Sequence, residues 1–185
     1  MSARLITPPA AMAVSIAAAR AMARTSSPAL DVELEQKARD YAEDAEHRTG
    51  RALITQIWEV TLDAFPSGHG VAAAIQLPHA PLASVDHVKF YDADGVLATL
   101  HPDDYFVDTK SEPGCIMPAP GRVWPATAAR ANAIEVLYVC GYGPDEASVP
   151  AAIKGYILGM IENDYFPNPN AQYLVRKLDR ASVYG

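Results

Sequence analysis

Asp63, Ser67 and His69 fall within one stretch of seven residues, and carboxylate, hydroxyl and imidazole are the three groups of a nucleophilic relay. Gly68 and Gly70 flank the histidine and would present it on a flexible loop. A relay works only where a scaffold aligns its members in space. An α/β hydrolase does this with a G-x-S-x-G elbow between strand and helix, and the sequence contains none. His69 is therefore expected at an exposed hairpin tip, with a small hydrolase using His69 as a rival reading.

The remaining candidates for chemistry are weaker. His47, His69, His79, His87 and His101 include no H-x-x-x-H or H-E-x-x-H pair, so no metal is expected. Asp92 with Asp94, and Asp103 with Asp104, stand beside turn residues, where aspartate caps its own backbone. Gly141-Tyr142-Gly143 lacks the strand-then-helix glycine pattern of a dinucleotide site and there is no P-loop, so no cofactor is expected. Gly155 and Gly159 have the spacing that lets a helix approach a neighbour closely.

A different kind of site is expected at the C-terminal end. Arg176, Lys177 and Arg180 give the tail a sign opposite to that of the body, and Leu174, Leu178, Val183 and Tyr184 are apolar anchors among them. Those seven residues describe either a solvated helix face or a docking peptide steered to an acidic partner.

The whole chain of 185 residues carries a net charge of -7 with a pI near 5.1, which argues against gripping nucleic acid through its phosphates. Only Cys115 and Cys140 are present, and their spacing indicates neither zinc nor a disulfide framework, leaving their pairing open. Arg4 followed by the alanine-rich run to Ala19 has the outline of a secretory leader. Pro8 and Pro9 interrupt it, and Ser15 ahead of Ile16–Met22 suits an N-capped helix instead. No apolar stretch is long enough for a membrane span.

These candidates need elements to position them. Ser15–Ala23 is the first expected helix; Ser27 and Pro28 open a second, with Leu34, Ala38, Tyr41, Ala42 and Ala45 on one face and Gly50 as its stop. Beyond Gly50 the period becomes two: Trp58, Val60 and Leu62 alternate with Glu59, Thr61 and Asp63. Further strands are expected at Ala73–Leu77, Val85–Tyr91, Val96–Leu100, Tyr105–Asp108 and Ala133–Cys140. Residues 109–132 hold four prolines and two glycines, which predicts an irregular segment lying where a neighbour covers it. Ser148 is expected to cap a helix bearing Ile153, Ile157, Met160 and Ile161 and ended by Pro167 and Pro169. A short basic helix follows, with Leu174 and Leu178 aligned.

The fold class that follows is α+β, a small helical bundle from the N- and C-terminal helices with an inserted antiparallel β lobe. Its expected divisions are a helical part at 1–50, the β lobe at 51–147, a helix completing the bundle at 148–167, and a tail at 168–185.

Taken in order, the residues resemble the head-tail connector, or adaptor, proteins of long-tailed bacteriophages. The resemblance rests on Leu5-Ile6-Thr7-Pro8-Pro9, on Thr49-Gly50-Arg51-Ala52-Leu53-Ile54-Thr55-Gln56 leading into Trp58, and on Leu77-Pro78 with Pro81-Leu82. It continues through Tyr91-Asp92-Ala93-Asp94-Gly95, Tyr105-Phe106-Val107-Asp108, Trp124-Pro125, Val139–Gly143 and Val149-Pro150 with Ala152-Ile153-Lys154. The first helix is richer in alanine than in relatives. The resemblance implies a non-enzymatic virion protein, a dodecameric ring of copies of itself below a portal protein, with a tail-side connector or stopper beneath it. It also implies a channel through which DNA passes without specific binding, and a C-terminal tail that docks on the portal. The chief rival is a secreted or surface β-lobed binding module with a cleaved leader.

Overall fold

The computed structural model describes residues 1–183. It has an α+β fold in two compact units, one of residues 1–8 and 56–140, the other of residues 9–55 and the described residues from 141 onward.

The first unit holds the strands. β1 (Ser2–Thr7), β2 (Gln56–Leu62), β4 (Leu82–Tyr91), β5 (Leu97–Thr99) and β8 (Ile134–Cys140) form an antiparallel sheet in the order β1-β2-β8-β4-β5. β3 (Ile75–Gln76), β6 (Tyr105–Asp108) and β7 (Cys115–Pro118) form a second sheet, ordered β3-β7-β6. Alternation along β8 is clean: Ile134, Val136, Tyr138 and Cys140 are buried and their neighbours half-buried. Val60 of β2 and Val88 of β4 sit across from Val136 on both sides, so one apolar stripe runs through the three central strands. Tyr138 is fully buried, and its hydroxyl donates to the carbonyl of Pro78 at 2.9 Å.

Three features here depart from expectation. Ser2–Thr7, assigned no strand from sequence, is an edge strand with every residue exposed; with only one neighbour it has no buried face and so no alternation to read. The strand expected at Ala73–Leu77 shrinks to Ile75–Gln76 behind a 3-10 turn at Gly70–Ala73. Within the proline-rich stretch 109–132, Cys115–Pro118 is a full strand, and the rest is pinned by Trp124 Nε1 donating to the carbonyl of Ala73 (2.7 Å) and Asn132 N–H to Asp63 (2.8 Å). Cys115 and Cys140 are separate buried thiols.

The second unit is a helical bundle. α1 (Ile16–Met22) is capped by the hydroxyl of Ser15, which accepts from Ala18 N–H. Ser27 caps a 3-10 turn at Pro28–Leu30 that runs into α2 (Asp31–Thr49), and Gly50 ends α2 at φ 67, in the left-handed region that favours glycine. α3 (Ala151–Tyr165) and α4 (Gln172–Asp179) complete the unit. Leu34, Ala38 and Ala45 of α2, Ile153, Tyr156, Ile157 and Ile161 of α3, and Leu174 and Leu178 of α4 share one core with Ala19 of α1.

Ser148 does not cap α3. It ends a 3-10 turn (Glu146–Ser148) whose cap is Asp145, accepting from Ala147 N–H at 3.0 Å, and α3 starts after Val149-Pro150 with no side-chain cap. Proline at the entry already fixes φ and removes one orphan N–H. Among the described residues no helix is long and apolar enough to cross a membrane.

Candidate assembly surface

The residues singled out from sequence divide sharply by burial. Asn163 Oδ1 accepts from Asn168 N–H (2.8 Å) and Asn168 Oδ1 from Asn170 N–H (2.9 Å), turning the chain through Pro167 and Pro169 into α4. That turn sets α4 against α3 with Leu174 and Leu178 inward, 7% and 1% exposed. Close packing is possible because Gly159 has no side chain: a Cβ there would come within 2.8 Å of Leu174. Gly155, its partner in the small-residue spacing, faces open space.

Downstream of α4 the chain is tied back to α2. Val183 N–H donates to the carbonyl of Thr49 at 2.9 Å, and Arg51 Nε donates to the carbonyl of Ala181 at 2.6 Å. Val183 is half-buried, and Tyr184 lies outside the described residues. Leu174 and Leu178 are thus already packed within their own bundle, and the exposed part of the expected docking set is Arg176, Lys177 and Arg180. Tyr173, 55% exposed, stands on the same side and was not singled out from sequence. The two basic residues of the last turn, Arg176 and Lys177, also suit the negative end of the α4 dipole.

α2 shows the converse arrangement. Its inner face is apolar, and its solvent side carries Val32, Glu35, Gln36, Arg39, Asp40 and Glu43, all exposed. Periodicity had served only to find the inner face; the outer pattern was equally present in the sequence. Asp44 and Asp164 instead tie α2 to α3. Asp44 accepts from the Tyr156 hydroxyl and from Arg48 Nε, and Asp164 accepts from Lys37 Nζ and the Tyr41 hydroxyl. Burial, with the carboxylate of Asp44 beside it, pushes the Tyr156 phenol up to about 12, and burial with the hydrogen bond to Asp164 raises Tyr41 well above its ordinary value.

In the β unit, His69 sits exposed on the rim of an open cleft of about 410 Å³ between residues 64–69 and 123–127. The floor includes Phe65 stacked on Trp124, with ring centroids 4.7 Å apart. Among the described residues no hydrogen bond joins His69 to Ser67 or Asp63; the Asp63 carboxylate accepts the Asn132 N–H. The loop does not assemble the relay its residue types suggested. The other histidines are dispersed: His79 stacks on Trp58, His87 lies between Asp86 and Glu135, His101 accepts from Asp103 N–H, and His47 is exposed on α2. Among the described residues no three His, Cys, Asp or Glu side chains are grouped as a metal ion would need. Asp92 Oδ1 accepts from Asp94 and Val96 N–H, which is turn chemistry.

What is left on the surface is material for contact. The β unit exposes Val71, Val96, Leu97, Phe106 and Val123, and β1 leaves one sheet edge unpaired among the described residues.

The fold has close counterparts among solved structures. A chain in the neck of an empty gene transfer agent particle, computed with C6 symmetry, matches with a TM-score of 0.78 at 20% identity, over 98% of this chain and 95% of that one. A chain in the virion of a native gene transfer agent particle matches at 0.75 and 19% identity, and one in a native neck computed with C12 symmetry at 0.70 and 20%, each with the same coverage. No protein-family model and no curated protein sequence matches the chain. At such identity the likeness establishes a shared fold along nearly the whole length of both chains. It covers both units, including α4 and the strand at the start.

Proposed function

We propose that this protein is a structural subunit of the neck of a phage-like particle, a head-tail connector that forms a ring below the portal and passes DNA to the tail. One observation carries the reading: chains in two gene transfer agent neck structures, and one in a gene transfer agent virion, share this fold over 95% of their own length. The ordered local motifs, from Leu5-Ile6-Thr7-Pro8-Pro9 to Val149-Pro150, point the same way.

The chemistry fits a part that works by cohesion. Each subunit has two different surfaces to offer, and a head-to-tail contact repeated by rotation closes a ring. A durable ring needs about 1,600 Å² buried per contact, and the exposed apolar residues of the β unit are suited to it. The β unit carries ten Asp and Glu against five Lys and Arg. A wall of that sign does not hold a duplex, and screening confines its repulsion to about 8 Å at physiological salt. In this reading the ring breaks and makes no covalent bonds; its partners are further copies, the portal and a tail-side connector or stopper.

Inactivating the gene in the cell that makes the particles tests the reading. Heads without tails are expected by electron microscopy, and restored joining on supplying the gene in trans. Normal joined particles in its absence would overturn it.

A further inference from the structure

Helix α4 turns three cations to solvent that the bundle does not neutralise. Elsewhere in the same unit Arg20, Arg24, Lys37 and Arg48 each reach a carboxylate, on Asp31, Glu162, Asp164 and Asp44. Arg176, Lys177 and Arg180 are exposed and have no ion-pair partner among the described residues. With Leu174 and Leu178 facing the core, the outward side of α4 is a stripe of Tyr173, Arg176 and Arg180 flanked by Lys177.

Among the described residues, exposed carboxylates without an ion pair gather on α2, where Asp40 accepts only from the amide of Gln36, at 2.7 Å. Glu35, Asp40 and Glu43 are exposed on its outward side, together with Val32, which is 84% exposed. From Glu35 to Glu43 the helix rises about 12 Å, and from Tyr173 to Arg180 about 10 Å, at 1.5 Å per residue. Each surface also holds one residue of the contrary sign, Arg39 among the carboxylates and Asp179 beside the cations, both exposed. Each has one exposed apolar side chain, Val32 and Tyr173.

Building on the connector reading, we propose that the α4 stripe of one copy seats on the outward face of α2 in the next copy of the ring. A ring of identical chains needs one surface complementary to a different surface of the same chain. These two are opposite in sign and matched in length, and among the described residues neither set of charges forms an ion pair. Arg39 and Asp179 fix the register, since sliding either helix by one turn sets like charges opposite each other. The basic residues of the tail thereby serve cohesion between copies.

Charge exchange tests this in the full chain, with rings counted by electron microscopy and native mass spectrometry, alone and after adding purified portal rings. Arg176→Glu with Arg180→Glu, and separately Asp40→Lys with Glu43→Lys, are each expected to lower ring yield at least about tenfold, equivalent to roughly 1.4 kcal/mol over the whole ring. Thermal unfolding of the monomer should be unchanged. The four substitutions together should recover most of the yield. A fourfold variant no better than either pair overturns the inference, as do normal rings from the Arg176→Glu, Arg180→Glu chain. If those rings form but no longer attach to the portal, the stripe serves the portal and the inference falls while the connector reading stands. If the unaltered chain forms no ring in either condition, both fall.

Discussion

The hydroxyl of Tyr41 donates to Oδ1 of Asp164 at 2.8 Å, while Lys37, one turn earlier on α2, holds Oδ2 at 2.6 Å. One α3 carboxylate is thus gripped by two α2 side chains. With Lys37 and Asp164 side chains 28% and 27% exposed, the contact is partly screened. Asp164→Ala should therefore cost about 1 to 2 kcal/mol, and Asp164→Asn less, because an amide oxygen still accepts from the phenol. Urea unfolding of the two variants checks this; equal losses would show that charge alone matters.

Alkaline pH should loosen the same pair of helices. Tyr41, Tyr156 and Tyr165 are all raised, by burial first and by hydrogen bonds to Asp164, Asp44 and Glu33 second. A phenol whose folded pKa exceeds its unfolded value contributes stability that is complete below the unfolded value of about 10 and is lost as pH climbs through the folded one. For Tyr156 the folded value is about 12. Unfolding free energy should fall between about pH 10 and 12, and Tyr156→Phe should flatten that slope. An unchanged slope in the phenylalanine variant would assign the loss to other groups.

The expected helices and most strands follow from local signals, and the misses share a cause. Ser15 and Gly50 act as the cap and stop that their residue types promise, because capping is settled within four residues, whereas Ser27 caps the 3-10 turn ahead of α2 and α2 itself has no side-chain cap. The strand Ile134–Cys140 was legible for a similar reason: a buried face imposes alternation. Ser2–Thr7 was not, since an edge strand with no buried face is specified by its partner β2. Nor was Cys115–Pro118, where prolines at 113, 118 and 120 suggested irregular chain. Proline is tolerated at the end of a short strand, and β7 finishes on Pro118. The tail shows the limit for function. Its helix and its Leu174–Leu178 alignment were readable, yet whether those leucines meet a partner or their own bundle depends on Gly159, fifteen residues away.

That last contact can be broken deliberately. Gly159→Val would place branched carbons where Leu174 now sits within 2.8 Å of a notional Cβ. α4 should then lift from α3 and forfeit the burial of Leu174, at a cost of about 2 to 4 kcal/mol, similar to Leu174→Ala. Hydrogen exchange resolves the outcome: α4 amides should lose protection while those of β8 keep theirs. Gly155→Ala, with open space at that position, should leave both unchanged.

Mild acid should act on the β unit through His79. Its ring stacks on Trp58 at 3.7 Å between centroids, its backbone sits at φ 64, and burial holds the imidazole below its ordinary value of 6.5. A depressed folded pKa means the neutral ring is favoured in the fold, so its contribution is present above pH 6.5 and lost as pH falls through the folded value. Unfolding free energy of the chain should decline as pH falls below about 6.5, ahead of most carboxylate titration. His79→Asn removes the titration while keeping a side chain that tolerates positive φ. It should cost some stability at neutral pH through the lost stack and erase the decline below 6.5. A variant that declines as steeply as the unaltered chain would place the acid sensitivity elsewhere.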